Sequence, residues 1–167
     1  MSFQEMKETL VNAYDRNVQS VRMKQLTSDG RMIIGDQSLV GKVRIPVLSG
    51  LTGIGKTACV KEFVEEKDFQ LINLDSSYMP ASTLATFMYS AINQILASEI
   101  NGCVLLIDNI NEADDEWSKI FEQYANNHFD ASVNIEDGTN PNRRRETRQR
   151  FDEIPETLFI VGEQRPL

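Results

Sequence analysis

Apolar and polar positions along the chain follow two periods in turn. Phe3, Met6, Leu10, Val11 and Tyr14 recur at helical spacing and predict an amphipathic helix at the start. The pattern fades over residues 16–43, where Arg31-Met-Ile-Ile34 reads as a short strand between turns marked by Gly30, Gly35 and Gly41. From Pro46 it becomes regular. Pro46-Val-Leu-Ser49 reads as a buried strand with its proline at the first position, where a missing N–H is tolerated. Cys59, Val60, Phe63 and Val64 form a helix face, and Phe69–Leu74 a second strand. Leu84, Phe87, Met88, Ala91, Ile92, Ile95 and Leu96 predict a helix over residues 82–97. Cys103-Val-Leu-Leu-Ile107 is apolar throughout, as a strand covered on both faces should be. Trp117, Ile120, Phe121 and Tyr124 mark a further helix, and Leu158–Val161 a fourth strand. Residues 126–156 between them are polar, carry turn signals at Asp137-Gly138 and Asn140-Pro141, and read as a mobile loop. Strands alternating with helices imply right-handed crossovers and an α/β fold on a mainly parallel sheet.

Composition narrows the functional classes. The 167 residues carry 17 Lys+Arg against 25 Asp+Glu, a net charge of −8, which argues against binding nucleic acid by bulk charge. Hydrophobic residues make up 41%, enough for a sizeable core. Apolar runs such as CVLLI are far shorter than the ~20 residues that span a bilayer. MSFQEMKETL has neither the basic nor the apolar segment of a secretory leader. Cys59 and Cys103 offer no disulfide or metal framework, and His128 sits in a polar stretch with no ligand partners. A reduced, cytoplasmic protein without a membrane partner is expected.

The clearest chemistry is Gly50-Leu51-Thr52-Gly53-Ile54-Gly55-Lys56-Thr57, which fits G-x-x-x-x-G-K-[ST] at every fixed position. Glycines let the backbone wrap a phosphate with its N–H groups pointing inward. The helix opening after Gly55 and running through Ala58 adds a partial positive charge at its N-terminus. Lys56 can reach β- and γ-phosphates, and the Thr57 hydroxyl can bind Mg²⁺. The motif follows a strand and opens a helix, the context such a loop requires.

A phosphate loop of this kind needs an acidic residue at the end of a neighbouring strand for the metal and its water. Asp108 follows Val104-Leu-Leu-Ile107 and meets the requirement. Many such ATPases place a water-activating glutamate next; here it is Asn109, whose amide can position a water but cannot take its proton. Restoring the carboxylate by Asn109→Glu is then expected to raise a low rate. Glu112 is the nearest other carboxylate in sequence, or simply part of the acidic cluster with Asp114, Asp115 and Glu116 at a helix N-terminus.

GLTGIGKT followed by VLLIDNINEAD resembles the AAA+ ATPases, and most of all their MoxR-type branch, which reads GPPGxGKT and then DEINRA. Asp108, Ile110, Asn111 and Ala113 match, while Asn109 and Glu112 replace a glutamate and an arginine. IPETLFIVGEQRPL resembles the family's strand leading into ATQNP: Gln164 and Pro166 match, and Arg165 stands at the sensor asparagine. The resemblance covers residues 44–167, leaving 1–43 as an N-terminal helix and connecting segment. It implies a P-loop NTPase three-layer sandwich that is an incomplete AAA+ core, since the helix carrying the arginine finger, the fifth strand and the helical lid have no counterpart here. It also implies ATP and Mg²⁺ as ligands, with Thr57 and Asp108 at the metal and Asn109, Glu112 and Arg165 as the candidate catalytic positions. The family's sheet order, 5-1-4-3-2, would then expose an edge beside the P-loop strand, to be covered by residues 1–43, a protein partner or a second copy.

Arg143, Arg144, Arg145, Arg148 and Arg150 form a basic run. It reads as a solvated loop, as a source of an arginine acting on a neighbour's γ-phosphate, or as a phosphate contact to nucleic acid. Three functions stay open: a weak or partner-dependent ATP hydrolase acting on a protein partner, a non-hydrolysing ATP-binding module, and a small P-loop phosphotransferase.

Overall fold

The computed structural model describes the backbone of residues 2–28, 41–50, 55–137 and 140–165, with side chains throughout these except at 25–28, 136–137 and 140–143. The strand expected at Arg31–Ile34 lies outside the described residues.

The elements run α1 (Phe3–Ser28), β1 (Val47–Ser49), α2 (Lys56–Lys67), β2 (Gln70–Asp75), α3 (Ala81–Leu96), β3 (Cys103–Asp108), a 3₁₀ turn (Ile110–Glu112), α4 (Asp115–Ala125), β4 (Phe129–Asp137), β5 (Asn140–Phe151) and β6 (Leu158–Gln164). Four parallel strands form the main sheet in the order β1-β6-β3-β2. β3 and β6 sit inside it and are buried almost end to end, which explains their unbroken apolar runs. The α/β fold and parallel sheet are those the sequence pattern predicts.

Two apolar layers cover the sheet. On one face Met6, Leu10 and Tyr14 of α1 pack with Cys59, Val60 and Phe63 of α2 over Val104, Leu106, Phe159 and Val161. Leu84, Met88 and Ile92 of α3 join Trp117 and Tyr124 of α4 over Leu105, Ile107 and Ile160 on the other. The alternation of strand residues between these clusters follows the two-residue period of a strand. α4 is capped by Asp114, whose carboxylate accepts the N–H groups of Glu116 and Trp117.

α1 is longer than the periodicity at Phe3–Tyr14 suggests, and it is integral to the core. It starts beside Gly55 at the head of α2, and farther along it Arg22 pairs with Glu156, two residues before β6. Midway, the Asn17 side chain is 5% exposed, donates to the Arg44 carbonyl and accepts the Arg44 N–H. This amide satisfies both backbone groups of a chain segment that no strand pairs, as burial demands.

Residues 126–156 depart from the expected loop. They hold an antiparallel hairpin in which β4 and β5 pair from Phe129↔Phe151 to Asp137↔Asn140. Phe129 and Val133 are buried, and Ala131, Ile135 and Phe151 pack against the same cluster as α3. The hairpin forms because one face of β4 is apolar at every second residue. Its partner strand is polar because pairing uses backbone groups and leaves most of its described side chains in solvent. Arg148 pairs with Asp130 across the hairpin at 2.7 Å, and Arg150 with Asp152 at 3.1 Å.

β1 is an edge strand. Val47 is 38% exposed, and among the described residues nothing pairs with its outer side. α1 lies over a face of the sheet and does not extend that edge. No described helix is long and apolar enough to cross a membrane.

Candidate functional site

In a parallel sheet every strand delivers its last residue to the same rim, and ligands gather where neighbouring strands diverge there. Ser49, Asp75, Asp108 and Gln164 end β1, β2, β3 and β6 on this rim. β1 turns into α2 through the glycine-rich segment. Of that segment Gly50, Gly55, Lys56, Thr57 and Ala58 are described, while Leu51, Thr52, Gly53 and Ile54 lie outside the described residues. Gly55 stands at φ 89°, a left-handed conformation that favours glycine, and opens α2 without a side-chain cap. Because the first helical bond there is Cys59 N–H to Gly55 carbonyl, the N–H groups of Lys56, Thr57 and Ala58 have no partner within the helix.

A pocket of ≈ 370 Å³ sits over this turn, lined by Gly55, Lys56, Thr57, Ala58, Asp108, Glu163 and Arg165. Lys56 is buried, and its Nζ donates to the carbonyls of Gly50 at 2.7 Å and Gln164 at 3.0 Å. Gly50 follows β1 and Gln164 ends β6, so the ammonium bridges the ends of two strands at the mouth of the pocket. Thr57 donates its hydroxyl to Glu163 Oε1 at 3.2 Å. Asp108 is exposed to the pocket, and its Oδ1 accepts the Asn109 N–H at 2.9 Å, which fixes the turn leaving β3. A smaller pocket of ≈ 210 Å³ adjoins, lined among others by Thr57, Asp75, Asp108 and Glu163.

Glu163 escaped the sequence reading. Burial pushes its carboxyl above the ordinary value, the Thr57 hydroxyl opposes that, and the Asp108 charge reinforces it. Its place follows from strand order. β6 lies between β1 and β3, and Ile107 pairs with Gly162, so the next residue on each strand is Asp108 and Glu163. Gly162 lets the Ile110 side chain pack close against β6. A Cβ there would stand 2.6 Å from Ile110 Cδ1, and Ile110 holds the 3₁₀ turn after Asp108 against β6. The one signal for Glu163 in the sequence is a charged residue one glycine beyond the apolar run Leu158–Val161.

The remaining candidates separate. Arg165 lines the pocket from the end of β6. Asn109 lines neither pocket and turns its amide to Asp75, where Nδ2 donates to both oxygens at 3.1 Å. It stands at φ 53°, a left-handed position that asparagine tolerates. Burial raises the Asp75 carboxyl, yet hydrogen bonds from Ser77 and Asn109 outweigh it and leave the group below its ordinary value. Glu112 is exposed on the 3₁₀ turn and lines neither pocket. Arg144, Arg145, Arg148 and Arg150 lie on β5 and are absent from the pocket lining; the Arg143 side chain lies outside the described residues. His128 is exposed, and Cys59 and Cys103 are buried free thiols.

Thr57, Asp108 and Glu163 present only hard oxygen donors to the pocket. That set suits Mg²⁺, which binds through one or two carboxylates plus substrate phosphates and not through an all-protein cage. Among the described residues no cluster of three His, Cys, Asp or Glu side chains forms such a cage. Backbone N–H groups, a lysine and an oxygen set thus converge where a nucleotide's terminal phosphates and their cation would sit.

A search of curated proteins finds no match to this chain. Residues 46–133, from the foot of β1 into the hairpin, match the family model described as ATPase family associated with various cellular activities, AAA. The match takes in the glycine-rich turn and the strand-end aspartate and covers more than half of the sequence, and the chain belongs to the AAA ATPase family.

Proposed function

We propose that this chain binds ATP with Mg²⁺ at the Lys56–Thr57–Asp108 pocket and hydrolyses it slowly alone, or productively only with a protein partner. The observation that carries the reading is the commitment of Asn109 to Asp75, which leaves no water-activating group at the position after Asp108. N–H groups at the start of α2 and the Lys56 ammonium bind the phosphates, and Arg165 reaches the same space from β6. Held with ATP by Thr57 and Asp108, Mg²⁺ supplies neutralisation of charge on the phosphate oxygens. Within the family, the MoxR-type assignment is supported by Asp108, Ile110, Asn111, Ala113 and Gln164. The outer side of β1, unpaired among the described residues, is where a partner or second copy would join, and remodelling or assembly of that partner is the work hydrolysis would drive.

A second reading, ATP as a structural ligand or switch without turnover, is favoured by the same Asn109 geometry. Incubation with [γ-³²P]ATP and Mg²⁺, read by thin-layer chromatography, separates the two. Slow release of free phosphate supports hydrolysis, and binding without release supports the switch. Turnover of about 1 s⁻¹ or faster by the isolated chain, within the range of ordinary enzymes, overturns the proposal. Transfer of label to a nucleoside or nucleotide overturns both readings.

A further inference from the structure

Glu163 is 7% exposed at the end of the strand between the phosphate-loop strand and Asp108. A glutamate so placed needs a partner to stay charged, because burying a carboxylate without one is costly. Lys56 is not hydrogen-bonded to it; that ammonium donates to the Gly50 and Gln164 carbonyls. One Glu163 oxygen accepts the Thr57 hydroxyl proton, and among the described residues no hydrogen bond falls on the other. Both adjoining pockets count Glu163, Thr57 and Asp108 in their lining, so the carboxylate faces the same space as Asp108.

From this geometry we infer that Glu163 is a further protein group of the cation site, acting beside Asp108 and through Thr57. The inference rests on the ATP–Mg²⁺ reading of the pocket and deepens it. Accepting the Thr57 proton turns the hydroxyl's lone pairs away from Glu163 and toward the pocket, the orientation a hard cation needs. The second Glu163 oxygen serves the cation or one of its waters. Two carboxylates and a hydroxyl do not make a complete coordination shell, so the site takes its cation with the nucleotide and not before it.

The test uses Mn²⁺ as the metal and AMP-PNP as the nucleotide, with isothermal titration in Mn²⁺ and in EDTA. The quantity read is the ratio of the two affinities, which isolates the metal's share from that of the phosphate loop. Glu163→Gln is nearly isosteric and is expected to cut this ratio about tenfold or more, the effect of losing a group that supports a metal ligand, with EDTA affinity little changed. Glu163→Asp keeps the charge on a shorter arm and should fall between. A urea midpoint for each variant confirms that it is folded. Ratios equal to wild type in both variants, with Asp108→Asn collapsing the ratio, overturn the inference while leaving the ATP reading intact. A wild-type chain that binds AMP-PNP in neither condition overturns the ATP reading and removes this one with it.

Discussion

The Asn109 amide lies 3.1 Å from each carboxylate oxygen of Asp75, joining the end of β3 to the end of β2. Ser77 adds its N–H at 2.9 Å and its hydroxyl at 2.6 Å to the same Asp75 oxygen, so the carboxylate sits in a small polar lattice. Asn109 is thereby a strut of the rim.

That contact reverses what sequence alone leads one to expect of Asn109→Glu. A glutamate would face Asp75 as a like charge and would occupy a left-handed backbone position that costs non-glycine residues about 1–2 kcal/mol. The variant should lose stability by about that amount or more in urea denaturation, without a rise in phosphate release. The exchanged pair, Asp75→Asn with Asn109→Asp, keeps an amide facing a carboxylate and should lose less than Asn109→Glu does. A tenfold gain in rate from Asn109→Glu, with unchanged stability, would show that the strut is dispensable and the position catalytic.

Lys56→Ala should weaken ATP binding by at least tenfold, about 1.4 kcal/mol, because in the proposed site it removes the ammonium that would partner the terminal phosphates. ATP with Mg²⁺ should raise the melting temperature of wild type and barely move that of the variant, since a ligand stabilises the state it binds. Equal affinities in a fluorescence titration would refute the assignment of this turn to phosphate binding.

Asn17 carries two hydrogen bonds to one backbone residue, at 2.9 and 2.8 Å, from a buried position. Asn17→Ala strands the N–H and carbonyl of Arg44 and should cost about 1–3 kcal/mol. Asn17→Asp keeps an acceptor for the N–H but sets an oxygen against the Arg44 carbonyl, so it should not rescue. Urea midpoints of the two variants decide the point.

Phe129 tests whether the hairpin belongs to the core. It is fully buried, with its ring 5.9 Å from that of Phe151. Phe129→Ala should cost about 3–5 kcal/mol, the usual penalty for truncating a buried aromatic. A loss of a few tenths would mean that the hairpin contributes little to the folded state.

Burial pushes the Cys103 thiol up to about 12 from an ordinary 9.0, and Cys59 is raised in the same direction. Native protein at about pH 8 should therefore resist thiol labelling, with both cysteines reacting once urea is added. Since the folded value is the higher one, the stability held in this group is complete below about pH 9 and is lost as pH rises toward 12. Labelling of native Cys103 as fast as the unfolded thiol would contradict its place in β3.

Much of the architecture was legible because it is local. The strand–turn–helix at Pro46–Ala58, the i, i+3, i+4 face of α3 and the apolar run ending at Asp108 each carry their own periodicity or motif. Alternation in Phe-Asp-Ala-Ser-Val-Asn-Ile was also present, with Asp137-Gly138 as a hairpin signal after it. It is obscured because β5 is paired by its backbone and leaves Arg144, Arg145, Glu146, Arg148 and Arg150 exposed.

The parallel α/β frame, the glycine-rich motif after β1 and the acidic end of β3 are each written in residues close together along the chain, and so are legible without the structure. Only tertiary structure decided which strand ends share the rim. Placing β6 between β1 and β3 brings Glu163 to Thr57 across 106 positions of sequence, and placing β2 beside β3 gives Asn109 its Asp75. Neither pairing leaves a periodic trace. Strand order is set by which apolar faces α1, α2, α3 and α4 can bury together, and that is a property of the whole core, not of any one segment.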